Sequence, residues 1–258
     1  MLRHHLSLTA ALLALLATPH AEARTLAQIK AEGVLRVVTS GDIPLFITEN
    51  AGSYSGFEAE LIETLAADLG LRVTYDKVPM DQLSRFLRED RADVAVSGIG
   101  ITSTREAKLD FTRPTLCGGV SVVSLDPRLN RHTDLVGKTI GVGAGTLLVG
   151  YAQKLPFEKK INVYPNNDAV VYAVISRAVD ATFVYSLMQP ALKKMLPKAP
   201  LHFGPELWPL ASGIMLREDN DLTRLTLNAG LTRLMNNGKY AALRDCLESK
   251  ESGRNRVL

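Results

Sequence analysis

The chain has 258 residues, 46% of them hydrophobic and 22% charged, which suffices for one large or two small cores and excludes disordered and fibrous classes. The formal net charge of +3 is spread without long basic runs, and one Trp with seven Phe offers few rings to stack on bases. Nucleic acid is therefore not an expected partner.

Arg3, His4 and His5 precede an apolar run at 6–17, and Ala21-Glu22-Ala23 puts small residues at the two positions a signal peptidase reads. The expected cut follows Ala23, making 1–23 a signal peptide. The run is well short of the ~20 residues that span a bilayer, so a membrane anchor is the weaker reading. No cysteine lies near the cut to take a lipid. A soluble, monomeric chain exported to the periplasm is expected.

Residues 34–39 read as a strand, and 57–69 as an amphipathic helix with Leu61, Ile62, Leu65 and Leu69 on one face, ended by Gly70. Residues 71–78 return to strand, Asp81 caps a helix bearing Leu83, Phe86 and Leu87, and 92–97 is strand again. This order implies a parallel sheet covered by helices, in which ligands gather at the carboxyl ends of the strands.

Such an end falls at 93–112. Gly98 and Gly100 remove side chains where the strand stops, and a short helix opens at 102–106, with Thr102 or Ser103 as its cap and Ser103 and Glu106 at capping-box spacing. Unpaired N–H groups and the positive helix end suit an anion. Arg105 adds a planar, two-pronged donor that matches a carboxylate. The competing reading makes Arg105 a solvated helix arginine and the glycines a tight turn, and this stretch alone does not choose between them.

A second unit follows, with strand at 118–124, strand at 139–142, a Gly143-Ala144-Gly145-Thr146 turn, helix at 146–154 and strand at 162–164. Helix at 168–177 capped by Asn167, strand at 181–184 and a helix up to 196 complete it. Strand at 213–216 and helices at 221–235 and 239–248 close the chain, with Asn237-Gly238 between the last two. Extended segments at 115–119 and 208–212 join the units, giving two lobes, two crossings and a cleft.

Cys117 and Cys246 permit a single disulfide, but Cys117 falls in an apolar strand-like run and Cys246 in the last helix, and two separate thiols is the preferred reading. Only His132 and His202 lie beyond the expected cut, at no metal-ligand spacing, so neither a histidine metal site nor a Ser-His-Asp triad is expected. Counted from Gly143, Leu148 occupies the third place of a dinucleotide fingerprint, and no lysine follows for a phosphate loop. No catalytic residue, cofactor or metal is expected. The turn instead offers Gly145 and Thr146 as a second anion contact across the cleft.

Eight stretches carry a resemblance: Gly33 to Thr39, Gly56-Phe57-Glu58-Ala59-Glu60-Leu61, Ala92-Asp93, Thr102-x-x-Arg105, Asp110-Phe111-Thr112, Gly137-Lys138-x-Ile140-Gly141-Val142 with Gly145-Thr146, Val179-Asp180-Ala181, and Ser212-Gly213-Ile214. In this order they resemble the family 3 bacterial extracellular solute-binding proteins over roughly 31–247. The resemblance implies an α/β, two-lobed fold of the type II periplasmic-binding-protein kind, each lobe a mixed sheet flanked by helices. Lobe 1 would be discontinuous, 24–116 plus 210–258, and lobe 2 would be 117–209. The lobes would close on a small ligand and present it to the permease of an inner-membrane ABC transporter.

By the same resemblance Arg105 matches the arginine that holds a ligand carboxylate, Gly98 and Gly100 match backbone contacts, and Thr146 matches a facing-lobe contact. Gly100 stands where the family usually has Ser or Thr. The carboxylate that pairs with an α-ammonium is Tyr185 here, and the acidic residue after the first strand falls at Ser40, with Asp42 as its possible substitute. The aromatic clamp positions are Ile43 and Met80. A buried ammonium without a carboxylate costs several kcal/mol, so the expected ligand bears a carboxylate and lacks a free α-ammonium, as an organic acid or a modified amino acid does. A cyclohexadienyl-dehydratase-like enzyme sharing Gly41-Asp42 is the weaker alternative, because Tyr185, Ser186 and Met188 offer no carboxylic acid to expel a leaving group. A signalling receptor stays open as well.

Overall fold

The computed structural model describes residues 23–236 together with Gly238 and Tyr240. The stretch before Ala23 that was expected to be a signal peptide, the expected helix at 239–248 apart from Tyr240, and Cys246 lie outside the described residues.

Helix α1 (Leu26–Glu32) leads into β1 (Val34–Thr39), and β2 (Asp42–Ile43), β3 (Ile47–Asn50) and β4 (Ser53–Ser55) form a small antiparallel meander. Next come α2 (Phe57–Ala67), β5 (Arg72–Lys77), α3 (Leu83–Arg88), β6 (Val94–Ala95), α4 (Ser103–Glu106) and β7 (Leu109–Phe111). The chain continues through β8 (Leu116–Ser124), β9 (Thr139–Gly143), α5 (Leu147–Lys154), β10 (Lys160–Tyr164), α6 (Asn167–Ile175), β11 (Ala181–Tyr185) and α7 (Gln189–Met195). Strands β12 (His202–Ser212) and β13 (Met215–Arg217) and helix α8 (Asp221–Asn236) follow.

Local chemistry sets these bounds. Thr25 and Gln28 exchange side-chain bonds in a capping box that starts α1, and Gly33 at φ 67° ends it. Helix α2 buries Leu61, Ile62, Leu65 and Ala66 on one face and carries Glu58 and Glu60 in its first turn, where the helix end favours negative charge. Asp81 does not cap α3. It lies in a 3₁₀ turn, Met80–Gln82, ahead of the helix.

The first sheet has the order β5-β1-β6-β13-β7, with β1 parallel to β5 and β6, and β13 antiparallel to β6 and β7. The second has the order β10-β9-β11-β8-β12, with β9 parallel to β10 and β11, and β8 antiparallel to β11 and β12. Both are mixed sheets. The meander, β7 and most of β12 were not expected, since these strands are short or lack clean alternation.

Beneath α2 and α8, Leu35, Val37, Leu61, Ile62, Leu227 and Leu231 form one core of the first sheet, while Leu83, Phe86 and Leu87 pack its other face. Val122, Ile140, Val142 and Phe183 anchor the second. A further cluster belongs to both halves: Ile43 and Phe46 of the meander region pack with Val171, Val184, Met188 and Leu192. Each such side chain contributes about 1.5–3 kcal/mol when taken out of water, so this cluster holds the two halves against each other.

Strands β8 and β12 pair up to Leu116 and Ser212, and Ser212 in turn bridges Gly100. The second sheet is thereby continuous with the strand end of the first. Cys117, at the start of β8, is disulfide-bonded, which corrects the expectation of two separate thiols; its partner lies outside the described residues.

Candidate functional site

Thr102, in extended backbone, is the cap of α4: its hydroxyl accepts from Arg105 N at 3.3 Å. Ser103 is therefore the first helical residue and not the cap. This start folds the Arg105 side chain back over the strand end, where Nη1 donates to Gly100 O at 2.8 Å and Nη2 donates to Gly145 O at 3.0 Å. Arg105 thus reaches from the first half to the second and is no solvated helix arginine. Burial pushes its guanidinium below the ordinary value, yet an arginine remains cationic in a protein.

Gly145 ends the turn after β9 at φ +73°, and a Cβ there would run into the Asp81 backbone across the cleft. Both the left-handed conformation and the close approach require glycine. Gly100 is constrained by side-chain approach alone. Its missing side chain leaves room for Leu147 of the other half, so the space of the absent hydroxyl is filled by an apolar side chain.

Tyr185, at the end of β11, donates its hydroxyl to Gly98 O at 2.6 Å, and its ring meets Phe46 edge-on with centroids 5.7 Å apart. Burial pushes its phenol up, so the hydroxyl keeps the proton it donates. Gly98 is also held through its amide by Glu58 Oε2, which accepts from Gly98 N at 2.8 Å, while Ser212 Oγ donates to Gly98 O at 3.3 Å. Glu58 is 2% exposed and its Oε1 has no hydrogen-bond partner. Burial raises its carboxyl to about 7 against the opposing Gly98 N–H.

Asp42 makes a third link between the halves. Its Oδ2 accepts from Asn167 N at 3.1 Å and Nδ2 at 3.3 Å, and its Oδ1 accepts from Ser40 Oγ. The carboxylate therefore sits at the positive end of α6. The cap of α6 is Asn166, which accepts from Ala169 N at 2.8 Å, so Asn167 occupies the first helical position.

A cavity of about 40 Å³ lies between the halves. Of the residues expected to contact a ligand, Ile43, Met80, Gly98, Arg105, Thr146 and Tyr185 line it. Gly100 and Gly145 reach it through the Arg105 guanidinium. Ser40, Asp42 and Thr102 do not line it; the first two build the link to α6 and the third caps α4. Thr146 presents no free hydroxyl, because Oγ1 donates to Gly143 O at 2.7 Å within its own turn.

Sequence reasoning missed Leu147, Asn167, Val170 and Val171 of the lining. Valines at helical spacing read as core, and only the closing of one sheet against the other decides which of them face the cleft. Among the lining residues Arg105 alone carries a formal charge. Among the described residues no three His, Cys, Asp or Glu side chains come together as a metal site requires.

Comparison with known proteins agrees with this fold. The profile of the bacterial extracellular solute-binding proteins, family 3, matches residues 35–246. The cyclohexadienyl dehydratase of Pseudomonas aeruginosa is 28% identical, over 79% of this chain and 82% of its own. The arginine-binding periplasmic protein of Mannheimia haemolytica is 26% identical, over 78% of this chain and 85% of its own. The structure of holo ArgBP from T. maritima superposes with a TM-score of 0.76 at 26% identity, covering 81% of this chain and 94% of that one. Its two mixed sheets meeting at a cleft are the two lobes of a type II periplasmic binding protein, and the chain belongs to the bacterial extracellular solute-binding proteins of family 3.

Proposed function

We propose that this chain is a periplasmic solute-binding protein that closes two lobes, 24–116 with 210–258 and 117–209, on a small carboxylate-bearing ligand and delivers it to an inner-membrane ABC transporter. The observation that carries this reading is Arg105, the single charged side chain in the cavity lining, held across the cleft by two backbone carbonyls. A ligand carboxylate would replace neutral acceptors with an ionised one, and charge-assisted bonds of this kind are roughly twice as strong.

The rest of the site speaks against an α-ammonium. Asp42 is engaged with the start of α6, and Tyr185 donates to the carbonyl that would otherwise accept from a cation. Around Arg105 the walls are apolar: Ile43, Met80, Leu147, Val170, Val171 and Met188. An organic acid with a small apolar body fits this chemistry, whereas an ammonium would lose its water without gaining a counter-charge.

The dehydratase among the relatives keeps an enzymatic reading in view. What supports the binding reading instead is a lining without a carboxylic acid to protonate a leaving group. A thermal-shift screen of the processed protein against small carboxylates, amino acids, sugars and cations tests the proposal, because a ligand bound only by the folded state raises stability by mass action. Carboxylates should raise the melting temperature, and Arg105→Ala should remove the effect. Stabilisation by sugars or simple cations alone would refute the reading, and consumption of a hydroxycyclohexadiene acid to an aromatic product would establish the enzyme.

A further inference from the structure

Arg24 directly follows the expected signal-peptidase cut, yet it is 8% exposed and enclosed by partners. Its Nε donates to Asp93 Oδ1 at 3.0 Å, its Nη2 donates to Asp93 Oδ2 and, at 3.0 Å, to Val34 O, and its Nη1 donates to Glu32. Asp93, 4% exposed, also accepts from Arg36 N at 2.7 Å and from Arg36 Nη2 at 3.0 Å. The Arg24 backbone nitrogen lies 3.2 Å from Asp90 Oδ1, which Arg36 Nη2 reaches at 2.8 Å. The Arg24 carbonyl accepts from Asn220 Nδ2 at 3.2 Å.

Counted over the ion pairs among the described residues, the charges of this cluster do not balance in the uncut chain. Glu32, Asp90 and Asp93 supply three negative charges, and Arg24 and Arg36 supply two positive ones. The Arg24 nitrogen is then a neutral amide that gives Asp90 one hydrogen bond and no charge. Hydrolysis of the Ala23–Arg24 bond adds water across it, leaving a carboxylate on Ala23 of the released leader and an amine on Arg24. With an ordinary α-amino pKa of about 8, that amine takes up a proton at neutral pH. The third cation arises within hydrogen-bond distance of Asp90.

We propose that Arg24 is the first residue of the exported chain, and that Asp90 is a built receptor for its α-ammonium. Removal of the leader completes an ion-paired cluster at the edge of the first sheet. A cut one residue earlier would carry the ammonium a residue away from Asp90. A cut one residue later would remove the guanidinium that Asp93 holds.

Two measurements test this. The mass of the protein exported from the full precursor should correspond to a chain beginning at Arg24. A cleavable fusion can then leave either Arg24 or Ala23 as the first residue, and the Arg24 form should melt about 2–4 °C higher, the shift that one modest ion pair gives a chain of this size. In Asp90→Asn the two forms should melt together. Asn tolerates the left-handed φ of 54° at position 90, so the substitution removes the charge without straining the backbone. An exported chain beginning elsewhere, equal melting of the two forms, or a gap that persists in Asp90→Asn would each overturn the proposal.

Discussion

The Tyr185 hydroxyl donates to the Gly98 carbonyl at 2.6 Å and ties the end of β11 to the turn after β6. A carboxylate at position 185 would face that carbonyl oxygen and repel it unless a cation lay between them. The phenol needs no intermediary. One hydroxyl thus closes directly a gap that a carboxylate closes only with an ammonium.

Tyr185→Phe should weaken ligand binding about five-fold by calorimetry. The loss is one neutral hydrogen bond, about 1 kcal/mol, because Gly98 O keeps the Ser212 hydroxyl at 3.3 Å and is not orphaned. Tyr185→Glu should go further, abolishing binding of the acid and conferring measurable affinity for its α-amino counterpart.

Arg105→Ala should leave a folded protein, since the guanidinium bonds only to backbone carbonyls, Gly100 and Gly145. Affinity should fall by on the order of 2–5 kcal/mol, the usual loss when one partner of a desolvated charged contact is deleted. Arg105→Lys should recover little of it, because an ammonium cannot present two parallel donors. Titration calorimetry of the three proteins checks the order.

Much of this arrangement was legible in the sequence, for reasons particular residues make clear. Gly98, Gly100 and Arg105 are read from the junction of a strand end with a helix start, a local pattern that survives folding unchanged. Of the six predicted residues that line the cavity, Gly98, Arg105 and Thr146 are read from turns and element ends, whereas Ile43, Met80 and Tyr185 were named by the family resemblance alone. Asn167, Val170 and Val171 were not legible, because their place in the cleft depends on how far one sheet closes on the other. Ser40 and Asp42 came from the resemblance, which puts a ligand contact after the first strand; only the fold shows that both lie off the cavity lining and that the start of α6 faces Asp42.

Glu58 should give the stability curve a definite slope. Its carboxyl rises from an ordinary 4.5 to about 7 on burial. Between those values the folded chain keeps a proton that the unfolded chain has lost, so stability falls as pH rises across this window, by on the order of 3 kcal/mol in total. Above about 7 this group adds no further slope. In Glu58→Gln the contribution should vanish, and denaturant titrations at pH 4.5, 6 and 7.5 measure it. A wild type and variant with parallel pH profiles would show that Glu58 does not titrate in this range.

Asp42→Asn should weaken binding of every ligand by the same factor, about two- to five-fold. The substitution removes a charge from the positive end of α6, an interaction worth about 0.3–1 kcal/mol, and touches no ligand in this reading. A selective loss of amino-acid binding in this variant would instead show that Asp42 holds an ammonium.

The most direct test is a matched pair, valine and 3-methylbutanoate, which share a carboxylate and a branched apolar body and differ only by the α-ammonium. Titrated by calorimetry into the processed protein, 3-methylbutanoate should bind, lose its binding in Arg105→Ala, and exceed valine at least tenfold. Tighter binding of valine would contradict the account, since it would mean that the cleft supplies a counter-charge that neither Tyr185 nor Asp42 provides in this structure.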